Sequence, residues 1–198
     1  MNSGVAPRDG FRWWLGGLLL LALVAVIGIV LLREKPATVE ASRAVQRLRS
    51  ELEFHEGRLL HQGVPFTGFV LEEYADGQLR SRSSVSNGLI EGLSQGWYTN
   101  GVLQVAEHFV RGVSHGLRTK FYPSGEKLSV AHIIEGELQG IYERWHDNGQ
   151  LAERVFLTNG VADGESLAYH ADGSLKARVR LDHGKVVEQK FWNPGEVR

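Results

Sequence analysis

The chain of 198 residues contains no cysteine. A disulfide framework, a thiol nucleophile and a zinc site built on cysteine are therefore excluded. An excess of charge of one sign is also missing, since the formal net charge is −1 and from Glu72 onward 14 basic residues stand against 17 acidic ones. A near-neutral domain has no electrostatic reason to bind nucleic acid. We therefore expect no nucleic-acid partner.

A catalytic constellation is missing as well. GLSQG at 92–96 and GVSHG at 112–116 fit the G-x-S-x-G pattern of hydrolases. That pattern marks a nucleophile only where a strand turns sharply into a helix, and here it coincides with regularly spaced glycines, so we interpret both matches as by-products of that spacing. No nucleophile, base and orienting group can be assembled elsewhere. We expect neither an enzyme nor a cofactor.

Histidines recur in pairs, His108 with His132 and His146 with His170. In stacked hairpins each pair would lie two strands apart, about 9.6 Å, which is too far for two imidazoles to share one ion. We therefore expect no metal site.

One long hydrophobic run is present. Residues 13–32, WWLGGLLLLALVAVIGIVLL, carry no charge, and as a helix they would span about 30 Å, the thickness of the hydrocarbon core of a bilayer. This predicts a single transmembrane helix after an N-terminal tail of residues 1–12. The alternative is a signal peptide cleaved near VEA at 39–41, although the apolar regions of signal peptides are shorter.

The charges beside this span give opposing indications of its orientation. Two basic residues precede it and five follow it within about 20 residues, which favours a cytoplasmic C-terminal domain. However, that orientation would carry Arg8 and Arg12 across the membrane, whereas long C-terminal domains translocate largely regardless of charge. We expect the C-terminal domain outside the cytoplasm, in the periplasm.

A linker follows over residues 33–62. Within it Ala44, Val45, Leu48 and Leu52 recur at helical spacing among charged residues. This pattern predicts a short amphipathic helix over roughly 41–53.

From residue 63 onward glycines recur every 24 residues. The three columns are Gly68, Gly92, Gly116, Gly140 and Gly164; Gly77, Gly101, Gly125, Gly149 and Gly173; and Gly88, Gly112, Gly136, Gly160 and Gly184. Three interleaved columns indicate a true internal repeat. We assign residues 63–198 to one repeat domain of five units and a shortened sixth unit that caps the open edge.

Each unit carries two turn signals. Asp-Gly and Asn-Gly pairs, such as Asn148-Gly149, are typical of two-residue hairpin turns, and the third glycine column marks a second turn. The sequence therefore predicts an all-β fold, a single-layer antiparallel meander of stacked β-hairpins. With two-residue turns, Tyr122 faces Lys127, Glu143 faces Arg154 and Glu165 faces Arg180.

This pairing separates two faces of the sheet. One face carries Leu79, Leu103, Leu151 and Leu175 together with Val85, Phe109, Ile133, Leu157 and Leu181. The opposite face carries an aromatic column together with Arg82, Arg154, Arg178, Arg180, His108 and His132. The candidate binding residues on that face are Trp97, Phe121, Trp145, Tyr169, Arg154, Arg178 and Arg180.

At these columns, Gly-x₃-Gly followed by an aromatic-Tyr pair and Asn-Gly, the sequence resembles the MORN-repeat family in its bacterial variant form, as in GVLQVAEHFVRGVSHGLRTKFYPSGEKL. The resemblance covers roughly 63–195. It implies an elongated, curved sheet of hairpins used for binding without known catalysis, and some bacterial members are labelled antitoxins of toxin–antitoxin systems. His146 and His170 depart from the tyrosine column, Lys127 from the leucine column and Glu73 from the aromatic column.

We therefore expect a non-catalytic, membrane-anchored module that binds a protein partner, either a toxin, in an antitoxin or immunity role, or an envelope protein. The alternative is an envelope scaffold or lipid-surface protein. In KARVR at 176–180, three basic side chains point to one side of a strand. They would suit an acidic partner or anionic headgroups, or they form a solvated face near the end of the sheet.

Overall fold

The computed structural model describes residues 45–196. The predicted N-terminal tail, the hydrophobic run at 13–32 and the first part of the linker lie outside these residues, so the membrane helix stays a prediction. Within residues 45–196 no helix is long and apolar enough to cross a membrane.

The amphipathic helix predicted over 41–53 is wrong for the residues described. Strand β1 spans Gln46–Leu48, a single 3₁₀ turn spans Arg49–Glu51, and β2 spans Glu53–His55. β1 pairs in parallel with a later strand, Gln46 opposite Phe69, and Leu52 is buried. An isolated helix of this length is marginal in water, so pairing with the sheet and burial of Leu52 override the helical spacing.

The remaining strands alternate with short turns. They are β3 Arg58–His61, β4 Val64–Pro65, β5 Gly68–Glu73, β6 Leu79–Ser86, β7 Leu89–Trp97, β8 Leu103–Val110, β9 Val113–Phe121, β10 Lys127–Ile134, β11 Glu137–Leu138, β12 Gly140–Trp145, β13 Leu151–Thr158, β14 Val161–Ala162, β15 Gly164–Tyr169, β16 Leu175–Asp182 and β17 Lys185–Phe191.

The main sheet has the order β1-β5-β6-β7-β8-β9-β10-β12-β13-β15-β16-β17, with the short β11 and β14 paired to β10 and β13. From β5 to β17 every neighbouring pair is antiparallel. β2, β3 and β4 form a separate small sheet. The predicted antiparallel meander is confirmed.

The turns at the Asn-Gly and Asp-Gly pairs differ from the prediction. Tyr98 N–H donates to Val102 O at 2.9 Å, and Gly101 N–H donates to Tyr98 O at 2.9 Å. Three residues therefore lie between the last paired positions, and the glycine takes a positive φ of 78°. This is a β-turn followed by a residue in the left-handed region, so the predicted two-residue turn at these pairs is wrong.

Two-residue turns occur at the other end of the strands instead. Asn87 and Gly88 have φ values of 49° and 79°, and the flanking Ser86 and Leu89 pair directly. Positive φ at both central positions defines the turn type that suits the right-handed twist of a hairpin. Arg111, Glu135, Asn159 and His183 occupy the first position in later units, also with positive φ.

A β-bulge restores the predicted register away from the first kind of turn. Trp145 faces Leu151, but the register shifts by one residue before Arg144 faces Glu153. Glu143 then faces Arg154, and Glu165 faces Arg180 in the next hairpin. Both predicted pairs are confirmed, because the longer turn and the bulge offset one another.

One face of the sheet holds the core. Val85, Ile133 and Leu157 of the predicted apolar column are buried, and Ile133 is only 1% exposed. At the N-terminal end, Leu52, Leu59, Phe66, Val70 and Val85 form one cluster. The small sheet contributes Leu59 to it, so the hairpins preceding the repeats extend the same core.

Candidate interaction surface

The opposite side of the main sheet carries the aromatic column and is hereafter the aromatic face. Trp97, Phe121, Trp145 and Tyr169 end strands β7, β9, β12 and β15 and are half-buried. Four residues earlier on the first three of these strands lie Leu93, Leu117 and Ile141, which are 38%, 50% and 54% exposed. Because side chains alternate along a strand, residues four apart lie on the same face. The face thus presents two parallel apolar columns.

The predicted separation of leucines and aromatics onto opposite faces is wrong. Leu103 stands directly across from Trp97, Leu151 from Trp145 and Leu175 from Tyr169, while Leu79 faces Glu73. Directly opposed residues share a face. The longer turn moves the leucine position by one residue, which reverses its side.

Lys127, which replaces a leucine of the leucine column, also lies on the aromatic face. Lys127 faces Phe121, and its ammonium nitrogen lies 5.0 Å from the centroid of the Trp145 ring. A cation over an indole face is attracted by the ring quadrupole. Lys127 therefore connects two members of the aromatic column instead of interrupting it.

The three predicted arginines also belong to the aromatic face. Arg154 faces Glu143, Arg178 faces Leu167 and Arg180 faces Glu165. Two of them form ion pairs, Arg154 Nη2 with Glu143 Oε1 at 2.7 Å and Arg178 Nε with Glu165 Oε2 at 3.3 Å. All seven predicted binding residues are thus brought onto one face, and their role as partner contacts stays a prediction.

One edge of the sheet is linked by the column after the aromatics, and we name it the tyrosine edge. Each side chain hydrogen-bonds a backbone carbonyl of the next hairpin: Tyr74 to Trp97 at 2.7 Å, Tyr98 to Phe121 at 2.9 Å, Tyr122 to Trp145 at 2.8 Å, His146 to Tyr169 at 3.0 Å and His170 to Trp192 at 3.1 Å. The two histidines therefore replace the tyrosines functionally through Nε2. Sequence reasoning missed this link.

The other edge, at the two-residue turns, is linked by a second column. The backbone N–H groups of Asn87, Arg111, Glu135, Asn159 and His183 donate to side-chain atoms of Thr67, Glu91, His115, Gln139 and Asp163. These five acceptors differ in chemical type and share only the ability to accept a hydrogen bond. Their common role is therefore invisible as a residue pattern.

The serines of the two G-x-S-x-G matches lie within strands. Ser94 Oγ shares a hydrogen bond with Ser83 Oγ at 2.7 Å, and Ser114 donates to Glu107, which also pairs with Arg118. Burial raises the pKa of the Glu107 carboxyl, but the hydrogen bonds from Arg118 and Ser114 outweigh it and hold the pKa below its usual value. Neither serine stands at a strand-to-helix turn, as a hydrolase nucleophile requires.

Asp163, Asp182 and His183 form a small polar cluster near the last two-residue turn, with one possible ligand atom from each within 4.8 Å of the others. His183 Nδ1 lies 2.6 Å from Asp182 Oδ1, and this hydrogen bond raises the pKa of the imidazole. Asp163 accepts the backbone N–H of His183 at 3.2 Å. Hydrogen bonds within the cluster thus already engage all three residues.

The comparisons with known proteins address the repeat itself. The family model of the MORN repeat variant matches residues 138–159. This match supports the MORN-repeat family. In structural terms it covers one MORN repeat, from β11 through β13, which includes Trp145 and the His146 turn. The other 24-residue units follow it in phase through their glycine columns.

No curated protein matches the chain. Among solved structures, a S. aureus TarM mutant in complex with Fondaparinux, alpha-GlcNAc-glycerol and UDP aligns at 14% identity with a TM-score of 0.33. The alignment covers 48% of this chain and 19% of the TarM chain. This likeness carries no inference about the repeats of this chain.

Proposed function

We propose that the chain is a non-catalytic, membrane-anchored interaction module whose aromatic face binds a protein partner. The observation that carries the proposal is the pair of apolar columns repeated every 24 residues, with Leu117 and Ile141 about half exposed. Exposed apolar side chains that form a contiguous patch mark interaction sites more often than scattered ones do. Stacked repeats commonly bind along such extended surfaces.

In a more specific form of this proposal, the protein partner is a toxin and the chain acts as its antitoxin or immunity protein. This form is supported by the family resemblance alone. The coarser role, binding of a protein partner, is compatible with the common use of MORN repeats in protein and membrane interactions.

A co-purification experiment on the full-length chain tests the role of the aromatic face. A stoichiometric partner retained by the wild-type chain should be lost from a double variant, Leu117→Ser with Ile141→Ser. The matched control is Val186→Ser, because Val186 is 55% exposed but lies opposite Leu181 of the other face. Partner loss in the control alone would contradict the proposal.

Binding to anionic vesicles without any protein partner would favour the alternative, a scaffold or lipid-surface protein. The exposed β16 side chains of Lys176, Arg178 and Arg180 are the residues to test in that case. Their substitution by glutamine would then weaken vesicle binding, since each basic residue near an anionic surface contributes about 1 kcal/mol.

We further propose that residues 13–32 anchor the chain in a membrane with the repeats on the periplasmic side. The support is the uncharged run of 20 residues and the difficulty of translocating Arg8 and Arg12. Reporter fusions after residue 198 test it. Active alkaline phosphatase would support the proposed orientation. A bright cytoplasmic-type fluorescent reporter beside an inactive phosphatase would contradict it and show the repeats to be cytoplasmic.

A further inference from the structure

Arginine recurs at one position of the aromatic face, in the first, fourth and fifth units, as Arg82, Arg154 and Arg178. The latter two have carboxylate partners within the chain. Arg154 donates from Nε and Nη2 to Glu143 Oε1 at 2.9 and 2.7 Å, and Arg178 reaches Glu165 at 3.3 Å. The repeat thus contains two positions at which a glutamate can form an ion pair with this arginine.

In the first unit both of those positions are apolar. Leu71 faces Arg82 as Glu143 faces Arg154, and Phe69 stands 96 residues before Glu165, at the same place in the repeat. Among the residues that the structure describes, Arg82 forms no ion pair. The first unit therefore has the arginine but neither of the glutamates that pair with it in the fourth and fifth units.

The guanidinium of Arg82 is nevertheless held in place. Its central carbon lies 3.8 Å from the centroid of the Phe69 ring, a stacking contact that fixes the plane of the fork. Its Nε is buried and has no hydrogen-bond partner within residues 45–196. Such an unsatisfied donor is uncommon, because a buried polar group without a partner costs free energy.

A surface pocket of about 310 Å³ opens beside it, lined by Phe69, Arg82, Ser84, Leu93 and Gln95. Three of these side chains can donate hydrogen bonds and none is negatively charged. The other two are apolar, and Leu93 belongs to an apolar column of the aromatic face. The pocket therefore combines an unpaired cation, neutral donors and an adjoining apolar wall.

We propose that this pocket binds an aspartate or glutamate side chain of a protein partner, whose carboxylate takes the place of the glutamate that the first unit lacks. A neighbouring aliphatic residue of the partner packs against Leu93 and Phe69. The inference rests on the proposed function, because it assigns the chemistry of one contact within the aromatic face.

The test measures peptide binding to the full-length chain in detergent by fluorescence anisotropy. The probes are a labelled octapeptide of alternating leucine and glutamate and its isosteric version with glutamine. A charge-assisted pair is lost with the second probe, so we expect its affinity to be weaker by about tenfold or more. Equal affinity of the wild-type chain for the two probes, or no binding of the acidic probe, would overturn the proposal.

Three variants locate the effect. Arg82→Gln should abolish the preference for the acidic peptide, and Leu71→Glu should do the same by rebuilding the internal pair seen at Arg154 and Glu143. Arg111→Gln removes an equal charge at a turn that does not line the pocket and should keep the preference. A preference that persists in Arg82→Gln assigns the contact elsewhere and refutes the pocket.

The same measurements separate this proposal from the proposed function. If both peptides bind with one affinity and the double variant Leu117→Ser with Ile141→Ser loses both, the aromatic face binds and the pocket proposal alone fails. If that double variant binds both peptides as the wild type does, the apolar side chains of Leu117 and Ile141 are not the contact surface, and the role proposed for these apolar columns fails.

Discussion

His146 and Tyr169 meet at the tyrosine edge, where Nε2 of the imidazole lies 3.0 Å from the backbone carbonyl oxygen. One unit earlier the hydroxyl of Tyr122 donates to the carbonyl of Trp145 at 2.8 Å. The carbonyl can only accept, so the imidazole carries a hydrogen on Nε2. Two chemically different side chains thus form the same link between hairpins.

Removing one such hydroxyl should destabilise the sheet. In Tyr122→Phe the Trp145 carbonyl loses its side-chain donor, and we expect the free energy of unfolding to fall by about 0.5 to 1.5 kcal/mol. Urea unfolding followed by tryptophan fluorescence measures this loss. Tyr142→Phe is the matched control, because the Tyr142 hydroxyl makes no hydrogen bond within residues 45–196. An equal loss in the two variants would contradict the role assigned to the link.

Restoring tyrosine at position 146 should preserve stability. A phenol at the same place reaches the carbonyl as Tyr122 does, so we expect His146→Tyr to unfold within about 0.5 kcal/mol of the wild type and His146→Ala to lose about 1 to 2 kcal/mol. Thermal unfolding of the three proteins side by side checks the order. If the alanine variant were as stable as the tyrosine variant, the bond to Tyr169 would contribute nothing.

The two-residue turns should differ in their tolerance of a side chain. Gly160 has φ 75° and open space around an added Cβ, so Gly160→Ala should cost only the left-handed backbone penalty of about 1 to 2 kcal/mol. At Gly88 an added Cβ would lie 2.9 Å from the Leu59 carbonyl oxygen. We expect Gly88→Ala to cost at least about 1 kcal/mol more, because that backbone must move. Denaturant midpoints provide the comparison. Equal midpoints would show that the backbone of the small sheet moves to admit the added Cβ without a measurable loss of stability.

Acid should weaken the contact between Glu107 and its partners. The pKa of this carboxyl is lower in the folded chain than in the unfolded one, so its contribution to stability is present above the unfolded pKa, about 4.3, and is lost as the pH falls through the folded pKa. Glu107→Gln should therefore be less stable than the wild type at pH 7 and approach it below about pH 4.

Unfolding midpoints at several pH values measure this convergence. Glu126→Gln, at an exposed turn, serves as the control and should follow the wild-type curve throughout. A constant gap between Glu107→Gln and the wild type would show that the carboxylate charge does not matter to the contact with Arg118.

The repeat and its antiparallel strands could be predicted because glycine has few substitutes where φ is positive. The pairs of Glu143 with Arg154 and Glu165 with Arg180 were predicted correctly although the turn was not, since a bulge near Leu151 offsets the longer turn. The leucine column lies between that turn and the bulge, so its side of the sheet was assigned wrongly. Local turn geometry is set by backbone hydrogen bonds that residue identity specifies only loosely.

Other features depend on contacts that no sequence pattern displays. Thr67, Glu91 and His115 perform one task with three chemical groups. Within residues 45–196 Arg82 has no ion-pair partner, because Leu71 stands across from it where a later unit has Glu143. The helical spacing of Leu48 and Leu52 was real, but it reflected a strand and a buried residue after it. Two leucines four residues apart form too short a pattern to distinguish an amphipathic helix from a strand that is followed by a buried residue.

The links join residues 20 positions apart along one edge of the sheet and 23 positions apart along the tyrosine edge, where the last link, from His170 to Trp192, spans 22. The sequence separation of these contacts therefore stays the same however many hairpins are added, so a longer array keeps a low contact order relative to its length and need not fold more slowly for topological reasons. Loss or duplication of one complete 24-residue unit would leave every remaining link with a partner. The length of the aromatic face can thus change in steps of one hairpin, without redesign of the rest of the sheet.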